Sequence, residues 1–520
     1  MDILRYMRDL RLYESAEWAI KQRLERQRVA PRAVILRANS KLALQLPPKL
    51  EDPMSIRPTI MKFGGTSVED ANAIRNVVAI VKLAVNSRPV IVVSAIGGFT
   101  NSLLRSVEIA IEGDARSASK SLEPEFERHL TIAEQLLNNE RRAAFVSAVG
   151  DARSKIRQLH KIIAAHPVTS PPLQDEIVAY GEHLSSQLVT AALTEAAVDA
   201  RHVDARSCIK TDDVYGAATP QPETAAVIDA EIAPLLTAGK VPVLGGFIGS
   251  TARGVTTTLG RGGSDYSAAI VGAALNAREI QIWTDVSGVL TADPRVVTNA
   301  QTTPILSYQE AAELAYFGAK VLHPKTIQPA IDKAIPVRVC NSRAPKEAGT
   351  LIVEESKAAP QTVKAIAHKN GITTVQVTSA RMLGAYGFLR ALFEVFAEHQ
   401  VAVDVVTTSE VSVSLSIDDT SGLPELLPDL EKLGTVQVEK NRTIISVVGE
   451  GLRSTPGIAA RVFSVIDDIN VTMISVGASS VNLTFMVDEA QAATAIARLH
   501  RACFEENFEA RSTSDVTIMA

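Results

Sequence analysis

Between about residues 58 and 355, short apolar runs rich in β-branched residues alternate with stretches of helical periodicity. The runs 59–63, 89–95, 241–247, 279–285 and 336–340 predict buried strands. The stretches 68–86, 123–139, 141–164, 173–197 and 265–277 predict helices between them. Alternation of this kind predicts an α/β domain around a mainly parallel sheet. Such sheets bind ligands beyond the carboxyl ends of their strands. Lys62, Ser94, Gly245 and Asp285 all fall at or just past those ends.

The rhythm changes after a linker containing Lys, Ala and Pro at 355–365. A strand at 372–378, a helix at 384–399, strands at 401–407 and 411–417, a helix at 422–433 and a strand at 435–439 form one unit. A strand at 443–449, a helix at 456–468, strands at 471–476 and 481–487 and a helix at 489–503 form a second. This is an internal repeat of small α+β units, with 516–519 as a further strand that returns to the first. Units this small bury little core alone and are expected to pair, within or between chains. The expected organisation is an extension at 1–57, an α/β domain at 58–355, and α+β units at 366–441 and 442–520.

The first 57 residues hold 12 Lys/Arg and 7 Asp/Glu, a local charge of +5, so the remainder sums to −10 against the whole-chain −5. Ile3, Leu4, Met7, Leu10 and Tyr13 recur at helical spacing before Pro47, Pro48 and Pro53 break the pattern. No apolar signal core precedes a small-residue cleavage site. The arginines are those of an organelle transit peptide, but Asp2, Asp9, Glu14 and Glu17 argue against one. The segment reads as an extension, with Met54 and Met61 as alternative starts.

Aromatics are only 4% of the chain, so aliphatic side chains must build the core. The acidic balance argues against nucleic acid as partner, and no apolar run is long enough to span a bilayer. Cys208, Cys340 and Cys503 are far apart and show no metal-ligand spacing. A reducing cytoplasm is expected.

Two glycine loops carry candidate chemistry. In Lys62-Phe63-Gly64-Gly65-Thr66-Ser67 a strand ends, glycines expose backbone N–H groups, and a helix begins. A cation at Lys62 suits phosphate, although the lysine precedes the glycines and the loop is not a Walker A sequence. The alternative is a tight turn beside a solvated lysine. In Leu259-Gly260-Arg261-Gly262-Gly263-Ser264-Asp265, Arg261 offers a planar fork for a carboxylate and the glycines allow close backbone approach. Ser264 or Asp265 as a plain helix cap is the competing reading. Two such loops almost two hundred residues apart suggest one site where two ligands meet, which favours phosphoryl transfer.

Three further segments are less specific. Trp283 to Arg295 leaves a strand and enters a Gly/Pro turn region, with Thr284 and Asp285 placed for a ribose or base and Arg295 for a phosphate; ordinary Asp-Pro turn chemistry is the alternative. Phe317 to Pro324 offers Lys320 as a second phosphate cation, while His323 reads as structural. Glu182 lies on a helical pattern, where most glutamates are solvated.

Together the segments 62–68, 94–101, 181–182, 246–249, 256–269, 283–295 and 317–324 resemble aspartate kinases, enzymes of the amino-acid-kinase fold. The resemblance covers nearly the whole chain from Thr59, and the tandem units resemble ACT domains. It implies ATP-dependent phosphorylation of the L-aspartate side-chain carboxylate, the first step towards lysine, threonine and methionine. It implies Lys62 and Asp265 as catalytic residues. Ser94, Thr100, Glu182, Arg261 and Ser264 would hold aspartate. Lys62, Gly64, Gly65, Thr66, Thr284, Asp285, Leu290, Arg295, Lys320 and Val321 would contact ATP. Leu290 stands where some relatives carry a stacking tyrosine.

Magnesium would ride mainly on the ATP phosphates, with few direct protein ligands. A carboxylate with an unperturbed pKa of about 3.9 needs no general base at neutral pH. Lysine is the expected effector, at a homodimer interface near Met382, Phe388, Leu389, Val403, Asp404, Ser409 and Glu410, with threonine the alternative. Gly384, Ala385 and Tyr386 depart from the polar residues of some lysine-sensitive relatives. Competing functions are another acceptor within the same fold, or a non-catalytic amino-acid sensor.

Overall fold

A computed structural model describes residues 57–166, 171–318, 322, 324–355 and 362–506. The extension before residue 57 and the strand expected at 516–519 lie outside the described residues.

Eleven strands lie in the kinase-like part: β1 (Thr59–Phe63), β2 (Pro89–Val93), β3 (Ala200–Val203), β4 (Lys210–Thr211), β5 (Val241–Gly245), β6 (Ile248–Thr251), β7 (Thr256–Thr258), β8 (Glu279–Thr284), β9 (Ile305–Ser307), β10 (Val337–Asn341) and β11 (Thr350–Val353). Eight form one sheet in the order β3-β5-β2-β1-β8-β10-β11-β9. All neighbours are parallel except β10 and β11. Strands β4, β6 and β7 make a small second sheet.

The central strands are mainly apolar because both faces are covered. Ile60, Val90, Val92, Ile280 and Ile282 join one core, while Met61, Phe63, Ile91, Val93 and Trp283 join the other. The period of two along each strand sorts these residues. Lys62 falls on the face of Ile60, the face covered by the helix Gly263–Ala274. That helix lies close on the sheet: a Cβ at Gly272 would stand 2.7 Å from Ile280 Cδ1. Its first turn, bearing Asp265, therefore sits over the end of β1.

The predicted helix 173–197 is two helices, Pro171–Val178 and Tyr180–Glu195. Helices Phe99–Ile111, Ala115–Ser121 and Thr224–Thr237, absent from the sequence reading, complete the layers.

The regulatory part has β12 (Ala365–Thr378), β13 (Val406–Thr408), β14 (Ser412–Ile417), β15 (Thr435–Val448), β16 (Val471–Val476) and β17 (Asn482–Asp488). The two predicted units share one sheet, ordered β13-β14-β12-β15-β17-β16. The strands expected at 435–439 and 443–449 are one strand, β15, so residue 441 lies inside it. Likewise β12 begins seven residues before the expected 372. Its first half pairs with the second half of β15, and its second half pairs with β14 and the start of β15. The second unit thus takes the first half of β12 from the first unit's side of the repeat. The strand expected at 401–407 is reduced to Val406–Thr408. Cores form separately around Leu392, Phe396 and Leu426 and around Ile445, Phe485 and Ile496.

Candidate active site

The carboxyl ends of β1, β2 and β5 open on a cleft of about 620 Å³. Lys62, Gly65, Ser94, Thr100, Glu182, Arg261, Ser264 and Asp265 all line it. At its centre Lys62 Nζ lies 2.7 Å from Asp265 Oδ1. Lys62 is only 9% exposed, so this pair is shielded and its attraction is little screened.

The cap expected from Ser264 or Asp265 is not what the structure uses. The N-cap is Gly262, at φ +71 and with no side-chain cap. That conformation suits glycine, and a Cβ there would also meet Thr326 Cγ2 at 2.7 Å. Released from capping, the Asp265 carboxylate turns to Lys62.

Glu182 opens the helix Tyr180–Glu195, 3% exposed, with its Oε2 buried and without a hydrogen-bond partner. The wall around it is tight: a Cβ on Gly245 would stand 2.9 Å from the Glu182 carbonyl oxygen, and one on Gly181 would stand 2.8 Å from Ala95 Cβ. Burial pushes the Glu182 carboxyl up from its ordinary 4.5 to about 8, against hydrogen bonds to backbone and the charge on Lys62. A buried carboxylate oxygen without a partner costs free energy until a cation meets it. Arg261, at the exposed mouth, has no carboxylate partner among the described residues. The cleft thus offers an anion receptor for an ammonium and a cation fork for a carboxylate.

The glycine turns are cross-tied. Gly64 N–H donates to Trp283 O (3.0 Å) and Gly97 N–H to Gly65 O (3.1 Å). Ser67 Oγ lies 2.8 Å from Ser342 Oγ. Thr66 is the middle of the short turn Gly65–Ser67. The Arg128 guanidinium donates to Gly97 O and Glu69 O, both at 2.8 Å.

Sequence reasoning missed three supporting residues. Arg128 is one. Asp175 is buried and accepts from Gly216 N, Thr258 N and Thr258 Oγ1 at 2.8–3.1 Å, fixing one wall. Burial raises its pKa. Phe247 sits at φ +66, held by Ser267 Oγ (2.9 Å) and Leu259 N (2.8 Å). Such a conformation is strained by roughly 1–3 kcal/mol and is tolerated at functional sites. None of the three carries a local sequence signal; an aromatic in left-handed conformation is invisible without coordinates.

The nucleotide-side candidates are less gathered. Thr284 ends β8, Asp285, Leu290 and Arg295 lie beyond it, and none of the four lines the cleft. Thr284 Oγ1 donates to Asp285 Oδ1 (3.1 Å). Arg295 gives its fork to Asp293, at 2.6 Å from Nη2, and its side chain is 87% exposed. Lys320, Val321 and His323 lie outside the described residues.

In the regulatory part, Met382, Phe388 and Val403 pack on the first core, whereas Leu389, Ser409 and Glu410 are exposed. Asp404 accepts from Lys369 Nζ (3.2 Å) and from the Tyr316 hydroxyl.

Residues 57–341 match the amino acid kinase family, and residues 445–503 match an ACT domain. Aspartokinase 2 of Arabidopsis thaliana, a chloroplastic protein, is 38% identical over 464 residues, covering 86% of this chain and 84% of that relative. The structure resembles E. coli aspartokinase III with aspartate and ADP in the R-state, at TM-score 0.72 and 37% identity. It also resembles that enzyme with lysine and aspartate in the T-state, at TM-score 0.74 and 38% identity. Both comparisons cover 86% of this chain and 100% of the other. The chain belongs to the aspartokinases, within the amino acid kinase family. Among the described residues no helix is long and apolar enough to cross a membrane.

Proposed function

We propose that this chain transfers the γ-phosphoryl group of ATP to the side-chain carboxylate of L-aspartate. A carboxylate oxygen attacks the γ-phosphorus, the bond to the β,γ-bridging oxygen breaks, and ADP leaves with that electron pair. The product is 4-phospho-L-aspartate, the entry to lysine, threonine and methionine. The observation that carries the reading is the buried Glu182 carboxylate, its Oε2 without a hydrogen-bond partner, in one cleft with Arg261 and the Lys62–Asp265 pair.

In this reading the aspartate ammonium meets Glu182, its α-carboxylate meets Arg261, and Ser94, Thr100 and Ser264 fit the remaining polar edges. The acceptor carboxylate is already ionised and needs no base. Catalysis is then positioning of two anions and neutralisation of charge in the transition state. Lys62 supplies the cation at the migrating phosphoryl group, and Asp265 fixes its ammonium. Gly65 and Thr66 present backbone N–H groups to the phosphates, with Gly64, whose own N–H is held by Trp283 O, shaping the turn beside them. Thr284, Asp285, Leu290 and Arg295, with Lys320 and Val321, flank the nucleotide; Arg295 would exchange Asp293 for a phosphate. ATP enters as its magnesium complex, and the hard carboxylate oxygen of Asp265 suits that ion's surroundings.

Lysine as effector is supported by the lysine-bound E. coli relative. The site proposed is Met382, Phe388, Leu389, Val403, Asp404, Ser409 and Glu410. The exposed apolar Leu389, Phe393, Val406 and Val411 beside edge strand β13 suit a homodimer through this unit. An acceptor panel decides the substrate: hydroxamate trapping with aspartate should far exceed that with glutamate, acetylglutamate or carbamate. A better rate with any of those would overturn the reading. Titration with lysine and with threonine decides the effector.

A further inference from the structure

Thr284 ends β8 and the loop after it carries Asp285, Leu290 and Arg295; any role for that loop's anchorage in catalysis rests on their assignment to the nucleotide. The first part of this loop is tied to the kinase sheet, Asn341 Nδ2 donating to Ser287 Oγ (2.9 Å) and Val289 N–H to Thr350 Oγ1 (2.8 Å); its middle is held from the regulatory side. Ala292 and Val297 are buried in the core of the second regulatory unit, with Leu499 and Cys503. Ile366 N–H, from the first half of β12, donates to Thr291 O at 2.8 Å.

A polar network closes the attachment. Thr291 Oγ1 lies 2.9 Å from His500 Nε2, and both residues are buried. The other ring nitrogen, Nδ1, lies 3.1 Å from Glu505 Oε1. A carboxylate only accepts, so Nδ1 donates its proton to Glu505, while Nε2 faces the Thr291 hydroxyl. The same Thr291 oxygen accepts from Gln301 N (2.9 Å), which satisfies its lone pair. Glu505 Oε1 also accepts from Asn299 Nδ2 at 2.7 Å. The loop is therefore gripped at Thr291 and again at Asn299 by two residues of one element. Glu505 reaches His500 because residues 501–505 form a π-helical turn, which brings positions five apart together. Such turns are rare and concentrate at functional sites.

We propose that His500 and Glu505 are positioning residues for the nucleotide, holding the loop 285–300 from the regulatory side. They touch neither substrate. Their effect is to fix where Asp285, Leu290 and Arg295 stand when ATP arrives. Loosening the network costs nucleotide affinity and leaves the aspartate pocket, built on β1, β2 and β5, as it is.

The test compares the full-length enzyme with Thr291→Val, His500→Leu, His500→Gln, Glu505→Ala and the double variant Thr291→Val/His500→Leu. Asp285→Ala is the control for the nucleotide assignment. The expected result is an ATP KM about tenfold higher in the first two variants and an aspartate KM within about twofold of wild type. The double variant should be little worse than either single one, because both break one contact. Glutamine at 500 keeps a polar group there and should recover most of the affinity. An unchanged ATP KM in Thr291→Val and Glu505→Ala would overturn the proposal, and so would equal rises in both KM values. Should His500→Leu fail to fold, the near-isosteric Thr291→Val and the surface Glu505→Ala decide. If Asp285→Ala leaves the ATP KM unchanged, the nucleotide assignment itself falls, and this inference with it. If Asp285→Ala raises it and the network variants do not, only the positioning role falls.

Discussion

Glu182 is where the empty cleft stores its readiness to bind. Its pKa near 8 means the empty protein holds a proton there at neutral pH that an unfolded chain would not. The folded state binds more protons than the unfolded one between about 4.5 and about 8, so this residue's contribution to stability falls as pH rises through that window. The thermal midpoint of the empty enzyme should decline there, and Glu182→Gln should remove that part of the slope. An ammonium in the pocket reverses the shift. Aspartate binding at pH 7 should therefore release a proton, seen by calorimetry in buffers of different ionisation enthalpy, and tighten up to about pH 8. Absence of proton release would separate Glu182 from the ammonium. The sequence could name Glu182 only by resemblance, because burial depends on Gly181, Gly245 and Ala95 closing around it. Lys62 and Arg261 were legible more directly, since cations among glycines have few structural uses. Asp175, Phe247 and Arg128 were not legible, because their partners are distant in sequence.

Elements place these residues, and the glycines set the clearances. A Cβ on Gly246 would stand 2.7 Å from Ser264 Cα, which is backbone and cannot swing away. Gly246→Ala should cost roughly 1–3 kcal/mol of stability and displace the loop 259–265. Chemical denaturation with a parallel activity assay checks this; a fully active, equally stable variant would contradict it. Strands buried on both faces, such as β1 and β2, were read from the sequence nearly to the residue because short β-branched and apolar runs dominate them. The polar strands β6 and β7 were missed, since Ser and Thr there look like loop. The continuity of β15 was missed for a local reason. Glu439-Lys440-Asn441-Arg442 reads as a turn, yet Asn441 takes φ +58 and the pairing with β12 shifts register there. The chain passes through a bulge where the sequence suggests a stop.

Across the whole molecule, regulatory and catalytic parts meet through buried polar contacts. Lys364, just before β12, pairs with Glu310 at 3.0 Å, and the two side chains are 4% and 0% exposed. Glu310 also completes the capping box of the helix Tyr308–Tyr316. Lys364→Met leaves a buried carboxylate without its cation and should cost about 3–5 kcal/mol, read from denaturant midpoints. A change under about 1 kcal/mol would mean that the pair is not buried in solution. The shared regulatory sheet and this contact were beyond sequence reading, because the sheet fuses two units that the repeat pattern separates and the contact joins segments on either side of the linker. Whether the cleft around Lys62 phosphorylates aspartate is decided by trapping aspartyl phosphate as the hydroxamate from the wild-type chain and from Lys62→Ala, each confirmed folded. The expected result is aspartate- and ATP-dependent product from the wild type and a rate lower by about 10²–10³-fold or more in the variant. An unchanged rate in Lys62→Ala, or no aspartate-dependent product from the wild type, would refute that role for the cleft.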